Sequence, residues 1–198
     1  MQSTEQSVGI KVGDFCFRHH KTNTKGQKVT AMTKSSIIND LKSMGLTGSE
    51  TILIHSSMKA VGNVEGGADT VLDALMEFFA DGLLLLPTHT WKTVNESNPV
   101  FDVSNSESCV GILTELFRKR PGVVRSLHPT HSIAAFGRNA ESYIAGELSC
   151  NTPCTPGGCY DRLKDVDGKI LLIGVTHARN TYIHLSLIHI SEPTRHLR

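Results

Sequence analysis

The chain has 198 residues, enough for one domain with a real core and too few to require two. Its 39% apolar and 20% charged content is ordinary for a globular protein, and no run of about 18 apolar residues is present to cross a bilayer. The net charge of +1 divides into +3 over residues 1–31, +1 over residues 185–198, and a middle with 13 basic and 16 acidic groups, which excludes a nucleic-acid binder's basic footprint and suits a cationic small-molecule partner.

Residues 1–31 show neither helical nor strand periodicity and read as a leader, either translated upstream sequence or a disordered arm, with Met32 as the natural start. They contain no apolar signal-peptide core, so the chain is expected to be cytoplasmic. Thr33 can cap a helix whose Ile37, Ile38, Leu41 and Met44 share one face and which ends near Gly45. Residues 51–55 are a short apolar strand. A Ser/Gly-rich turn leads to a helix over residues 68–80, with Val71, Leu72, Leu75, Phe78 and Phe79 on its stripe. Residues 83–86 are a second strand, stopped by Pro87. A helix is predicted over residues 110–120 with Ile112, Leu113, Leu116 and Phe117 inward, followed by strands at residues 132–136 and 169–175. Helices alternate with strands that are apolar throughout, the pattern of an α/β layered fold whose sheet is covered on both faces.

Five cysteines without a signal peptide predict reduced thiols. The spacing Cys150-x3-Cys154-x4-Cys159 lacks the tight pairs of a structural zinc site, so no metal is expected.

Four clusters fall at strand ends, where α/β sheets place ligands. The first runs from His55 through Ser56, Ser57 and Met58 to Gly62, with Gly66 and Gly67 opening a helix. Hydroxyls, glycines and backbone N–H groups there could seat a pyrophosphate, and an ordinary Ser/Gly turn reads the same way. The others are Pro87-Thr-His-Thr-Trp91, Arg125-Ser-Leu-His-Pro-Thr-His-Ser132 and Gly174-Val-Thr-His-Ala-Arg-Asn-Thr-Tyr-Ile-His184. The P-loop, the dinucleotide-binding fingerprint, the zinc-protease helix and the nucleophile elbow are all absent.

Taken in order, the HSSMKAVG turn, the GGADTVLDALMEF helix, LLLLPTHTW, VGILTELFRKRPGVVRSLHPTHS and KILLIGV-x-H-x-R-N-T-x-I-H resemble the aminoglycoside 3-N-acetyltransferase family. The resemblance covers residues 32–184. It implies a three-layer α/β/α sheet with its C-terminal part missing, acetyl-CoA as co-substrate, and transfer to the 3-amino group of a 2-deoxystreptamine antibiotic, conferring resistance. Acetylation of another amine, or an inactive CoA-binding fragment, are the alternatives. By the same resemblance the cofactor turn falls on Ser56, Ser57, Met58, Gly62 and Gly67, with Arg125, Ser126 and His128 near the cofactor's phosphates. Thr88 falls near the acetyl group, His184 is the general base positioned by Asn180 and Thr181, and His55 is a second histidine of the cleft.

The family motif places Glu three residues after that histidine, where this chain has Leu187. Residues 185–195 read LSLIHISEPTR, which resembles the literal translation of a transposase adapter used in sequencing libraries. Residues 185–198 are therefore expected to be a non-native tail, with native sequence stopping at His184.

Overall fold

The computed structural model describes residues 12–15 and 31–183. His184 and the expected non-native tail, residues 185–198, lie outside the described residues.

Helix α1 (Lys34–Ser43) starts where the sequence places it: Thr33 Oγ1 accepts from the Ser36 amide at 3.2 Å while Ser36 Oγ accepts from the Thr33 amide at 3.0 Å, a reciprocal cap. Strand β2 (Thr51–Ser56) leads to a single helical turn, α2 (Met58–Val61), and then to α3 (Gly67–Phe78). Strand β3 (Leu83–Pro87) follows. Helix α4 (Ile112–Phe117) is shorter than predicted. Gly111, at φ +129, is not helical and sets the start, and the chain leaves α4 in tightened turns in which Lys119 and Arg120 donate to Leu116 and Phe117. Beyond it lie β4 (Val124–Arg125), β5 (Ile133–Gly137), α5 (Ala140–Ile144) and β6 (Lys169–Ile173).

The sheet has the order β1-β6-β2-β3-β5-β4, with β1 at Val12–Phe15. Strands β1, β6, β2 and β3 are parallel; β5 runs against β3, with Pro87 opposite Ile133, and β4 runs against β5. Strand β1 lies within the expected leader, residues 1–31: Val12 pairs with Ile170 and Phe15 with Ile173. An edge strand joins a sheet through backbone hydrogen bonds, which leave no apolar repeat in its own sequence.

Alternate residues of the central strands enter opposite cores. Ile52, Ile54, Leu84, Leu86, Leu171 and Ile173 pack with α1, α3 and α4 on one face. Leu53, Leu83, Leu85, Ile170 and Leu172 pack with Tyr143, Tyr160 and Leu163 on the other. Both faces being covered, the two-residue alternation of a half-buried strand is replaced by continuous apolar runs. Each such leucine, fully buried, stabilises the fold by about 1.5–3 kcal/mol. This is the α/β architecture expected from the sequence, and its sheet is mixed.

Candidate active site

Strands β2, β3, β4 and β6 all end at one edge of the sheet, and β5 begins there. A cleft of about 500 Å³ opens at that edge. Its walls come from the end of β2 (His55, Ser56, Ser57, Met58, Lys59), the segment after β3 (His89, Trp91, Lys92), the start of α4 with the residues before it, and the chain after β6 (Val175, Arg179, Thr181). Ile112, expected to point inward, is 51% exposed and lines this cleft, so α4 lends its first turn to the site as well as its buried face to the core.

His55 stands opposite Leu172 in the sheet and is buried, and its Nε2 has no hydrogen-bond partner among the described residues. Burial pulls its pKa down to about 4, so the ring is uncharged at neutral pH. The chain then turns tightly: the Ser57 amide donates to the Ile173 carbonyl at 2.9 Å, tying the ends of β2 and β6, and the amides of Ala60 and Val61 return to the Ser57 carbonyl. Gly174, at φ +66, makes this approach feasible, because a Cβ there would lie 2.9 Å from the Ser57 carbonyl oxygen and 3.0 Å from Ala60 Cβ.

Gly62 and Gly67 shape this region without lining the cleft. Gly62 ends α2 at φ +95, and Gly67 already donates its amide to Val64 at 3.0 Å. Of the expected cofactor turn, Ser56, Ser57 and Met58 face the cleft, together with Lys59, which the sequence reading passed over.

The Arg125–Ser132 segment is brought to the same edge of the sheet but lies behind the cleft. Arg125, 8% exposed, donates to Thr88 Oγ1, Ser132 Oγ and the carbonyls of Thr88, Val103 and Ser106. Desolvation lowers its pKa to about 10, which leaves the guanidinium charged at neutral pH. Ser126 is buried and its hydroxyl accepts from the Ile133 amide at 2.9 Å. His128 Nδ1 accepts from the amides of Thr130 and His131, and its Nε2 is buried without a partner among the described residues. Burial lowers the His128 pKa, with Glu147 opposing the shift. None of the three lines the cleft; they brace the loop behind it. Thr88 is also fully buried, with its hydroxyl engaged by Ser132 and Arg125. Its neighbours Pro87 and His89 line the cleft instead.

After β6, Asn180 is buried and its Oδ1 accepts from the Tyr182 amide at 3.0 Å, while its carbonyl accepts from Ile183. Asn180 thereby organises the turn over residues 180–183, and Thr181 lines the cleft.

The sequence reading assigned no role to His89, whose Nε2 lies 2.6 Å from the Tyr160 hydroxyl and whose ring lies 4.6 Å, centroid to centroid, from that of His131. His89 was legible as one residue of a strand-end cluster; Tyr160, 71 residues away, carried no signal of its own. The thiols of Cys150, Cys154 and Cys159 are raised in pKa by burial, most strongly at Cys159, and are free. Among the described residues no group of three His, Cys, Asp or Glu side chains is placed to hold a metal ion.

Fold and cleft define an α/β protein with an open cleft at the carboxyl edge of a mixed sheet. The chain belongs to the aminoglycoside 3-N-acetyltransferase family, whose profile matches residues 53–196. Aminoglycoside N(3)-acetyltransferase VII of Streptomyces paromomycinus is 31% identical over 171 residues, covering 77% of this chain and 59% of the relative. Among solved structures, aminoglycoside acetyltransferase AAC(3)-IVa as apoenzyme superposes with a TM-score of 0.74 at 30% identity, covering 83% of this chain and 63% of that one. A variant of AAC(3)-IVa in complex with apramycin superposes at 0.71 and 30% identity, covering 81% and 64%. AAC-IIIb binary with CoASH superposes at 0.70 and 26% identity, covering 78% and 64%. The chain thus spans about three-fifths of the length of the first curated relative it matches.

Proposed function

We propose that the cleft binds acetyl-CoA and that the protein transfers its acetyl group to the 3-amino group of a 2-deoxystreptamine aminoglycoside, in the cytoplasm, conferring resistance. The observation that carries this reading is the cleft itself. It combines the Ser56–Lys59 turn and two uncharged histidines at the edge where the family's sheet ends. Lys59, Lys92 and Arg179 are exposed along it and suit the phosphates of CoA, which carries the acetyl group as a reactive thioester. CoA in a related structure and apramycin in another support the two substrate classes.

An ammonium ion has no lone pair with which to attack a thioester. His184 accepts the proton that frees the amine, an effect worth roughly 10²–10⁴ in rate. Asn180 holds the turn after β6, and Thr181 borders the cleft. Backbone N–H groups at the cleft steady the developing oxyanion. Residues 32–184, with 16 acidic against 13 basic groups, favour a polycationic acceptor over a neutral amine.

Calorimetric titration of the 198-residue chain with CoA tests the cofactor half of this reading. Saturable binding is expected, with Lys59→Glu weakening it roughly 3- to 10-fold and high salt narrowing the gap. Absence of binding, or indifference to Lys59→Glu, contradicts it.

A further inference from the structure

The cleft combines exposed cations with buried, uncharged histidines. Lys59, Lys92 and Arg179 are exposed, whereas His55 and His89, at 7% and 5% exposure, lie beside Ile54 and Pro87. A ligand with a polyanionic end and a neutral end therefore seats the neutral end against the histidines. In acetyl-CoA that end is the thioester, whose carbonyl oxygen is a hydrogen-bond acceptor.

Of the two histidines, His89 has its proton placed by a neighbour. Tyr160 is buried, and burial raises its pKa far enough to keep the phenol protonated, so its hydroxyl carries a proton it can donate to His89 Nε2, 2.6 Å away. Burial, then His131, His55 and His128, push the His89 pKa down to about 3. A neutral imidazole whose Nε2 accepts carries its one proton on Nδ1. The His89 carbonyl also accepts from the Cys109 amide at 2.7 Å, which fixes the backbone beneath the ring.

We propose that His89 is an acyl-binding residue of the cleft, donating from Nδ1 to the carbonyl oxygen of the acetyl thioester, with Tyr160 as the positioning residue that fixes its tautomer. This rests on the acetyl-CoA reading of the cleft. The contact is a fixed, uncharged donor that strengthens as negative charge grows on the oxygen. CoA itself lacks the carbonyl, so the same contact makes the cleft prefer acetyl-CoA to the spent cofactor.

Calorimetric titrations of the 198-residue chain with acetyl-CoA and with CoA separate the contact from general binding. His89→Phe is expected to weaken acetyl-CoA about 5- to 10-fold while shifting CoA by less than about 2-fold. Tyr160→Phe is expected to weaken acetyl-CoA about 2- to 3-fold, because the other tautomer becomes populated. Should His89→Phe fail to fold, the amide pair decides. His89→Asn sets a donor near the Nδ1 position and retains the acetyl-CoA preference, whereas His89→Gln sets it near Nε2 and loses the preference. Equal losses for both ligands, or a preference kept by Gln and lost by Asn, overturn the assignment while leaving CoA binding intact. Wild-type chain that binds neither ligand overturns the cofactor reading and this contact with it.

Discussion

Arg125 Nη2 donates to the Thr88 carbonyl at 2.8 Å while its Nε lies 3.2 Å from Thr88 Oγ1, so one guanidinium grips the end of β3 by backbone and side chain together. Its Nη1 reaches the carbonyls of Val103 and Ser106 and draws the long segment before α4 against the sheet. The cleft wall that follows β3 is held in place by a buried cation with no carboxylate among its hydrogen-bond acceptors.

Arg125→Lys is expected to destabilise the fold by about 2–4 kcal/mol, because one ammonium cannot serve acceptors spread around a planar fork and leaves buried carbonyls unpaired. Urea unfolding at neutral pH measures it. A change under about 0.5 kcal/mol would show that the tie is dispensable.

Burial depresses the pKa of both His55 and His89 from the ordinary 6.5, to about 4 and about 3. Their neutral forms are favoured by folding, so their contribution is complete above about pH 6.5 and is lost as pH falls toward those lower values. For His55 the full effect is about 3 kcal/mol. Unfolding free energy should therefore fall between pH 6.5 and 4, and fall less steeply in His55→Gln. Parallel slopes in the two proteins would contradict the assignment.

Gly174→Ala should cost about 1–2 kcal/mol through the left-handed backbone alone. The added methyl would also meet the Ser57 carbonyl and Ala60, displacing the turn that faces the cleft. A lower melting temperature and weaker CoA binding are expected together. Loss of stability with unchanged CoA affinity would separate the turn from the cofactor site.

His184 is expected to depend on a carboxylate that Leu187 does not supply. The 198-residue chain should show little acetyl transfer, and replacing residues 185–198 with the corresponding and following segment of a relative should raise it. His184→Ala in that chimaera should then lower turnover by about 10²–10⁴. Turnover of the 198-residue chain equal to the chimaera's would refute the role given to the missing carboxylate.

Much of the fold was legible because its signals are local. The capping box at Thr33, the stripe of α3 and the apolar runs of β2, β3 and β6 each lie within one short segment, and each element formed within a few residues of its prediction. Family membership was legible for a related reason: ordered strand-end clusters survive in the linear sequence. Strands β1 and β4 were not, being short and held mainly through backbone pairing, which any side chain permits.

The sequence by itself determined the layers, the edge of the sheet at which the cleft opens, and the turn of Ser56–Met58 that faces it. Only the tertiary structure decided which strand-end side chains reach the cleft. The alternation of β3 carries on through the two residues after it, so Thr88 turns inward to Arg125 while His89 turns to Tyr160 and the cleft. The reversed direction of β5 brings Ser132 beside Thr88 and puts the Arg125–His128 segment behind the wall as its brace. Pairings separated by 37 and 71 residues leave no trace in either local segment, because the distance that matters is closed only when the sheet forms.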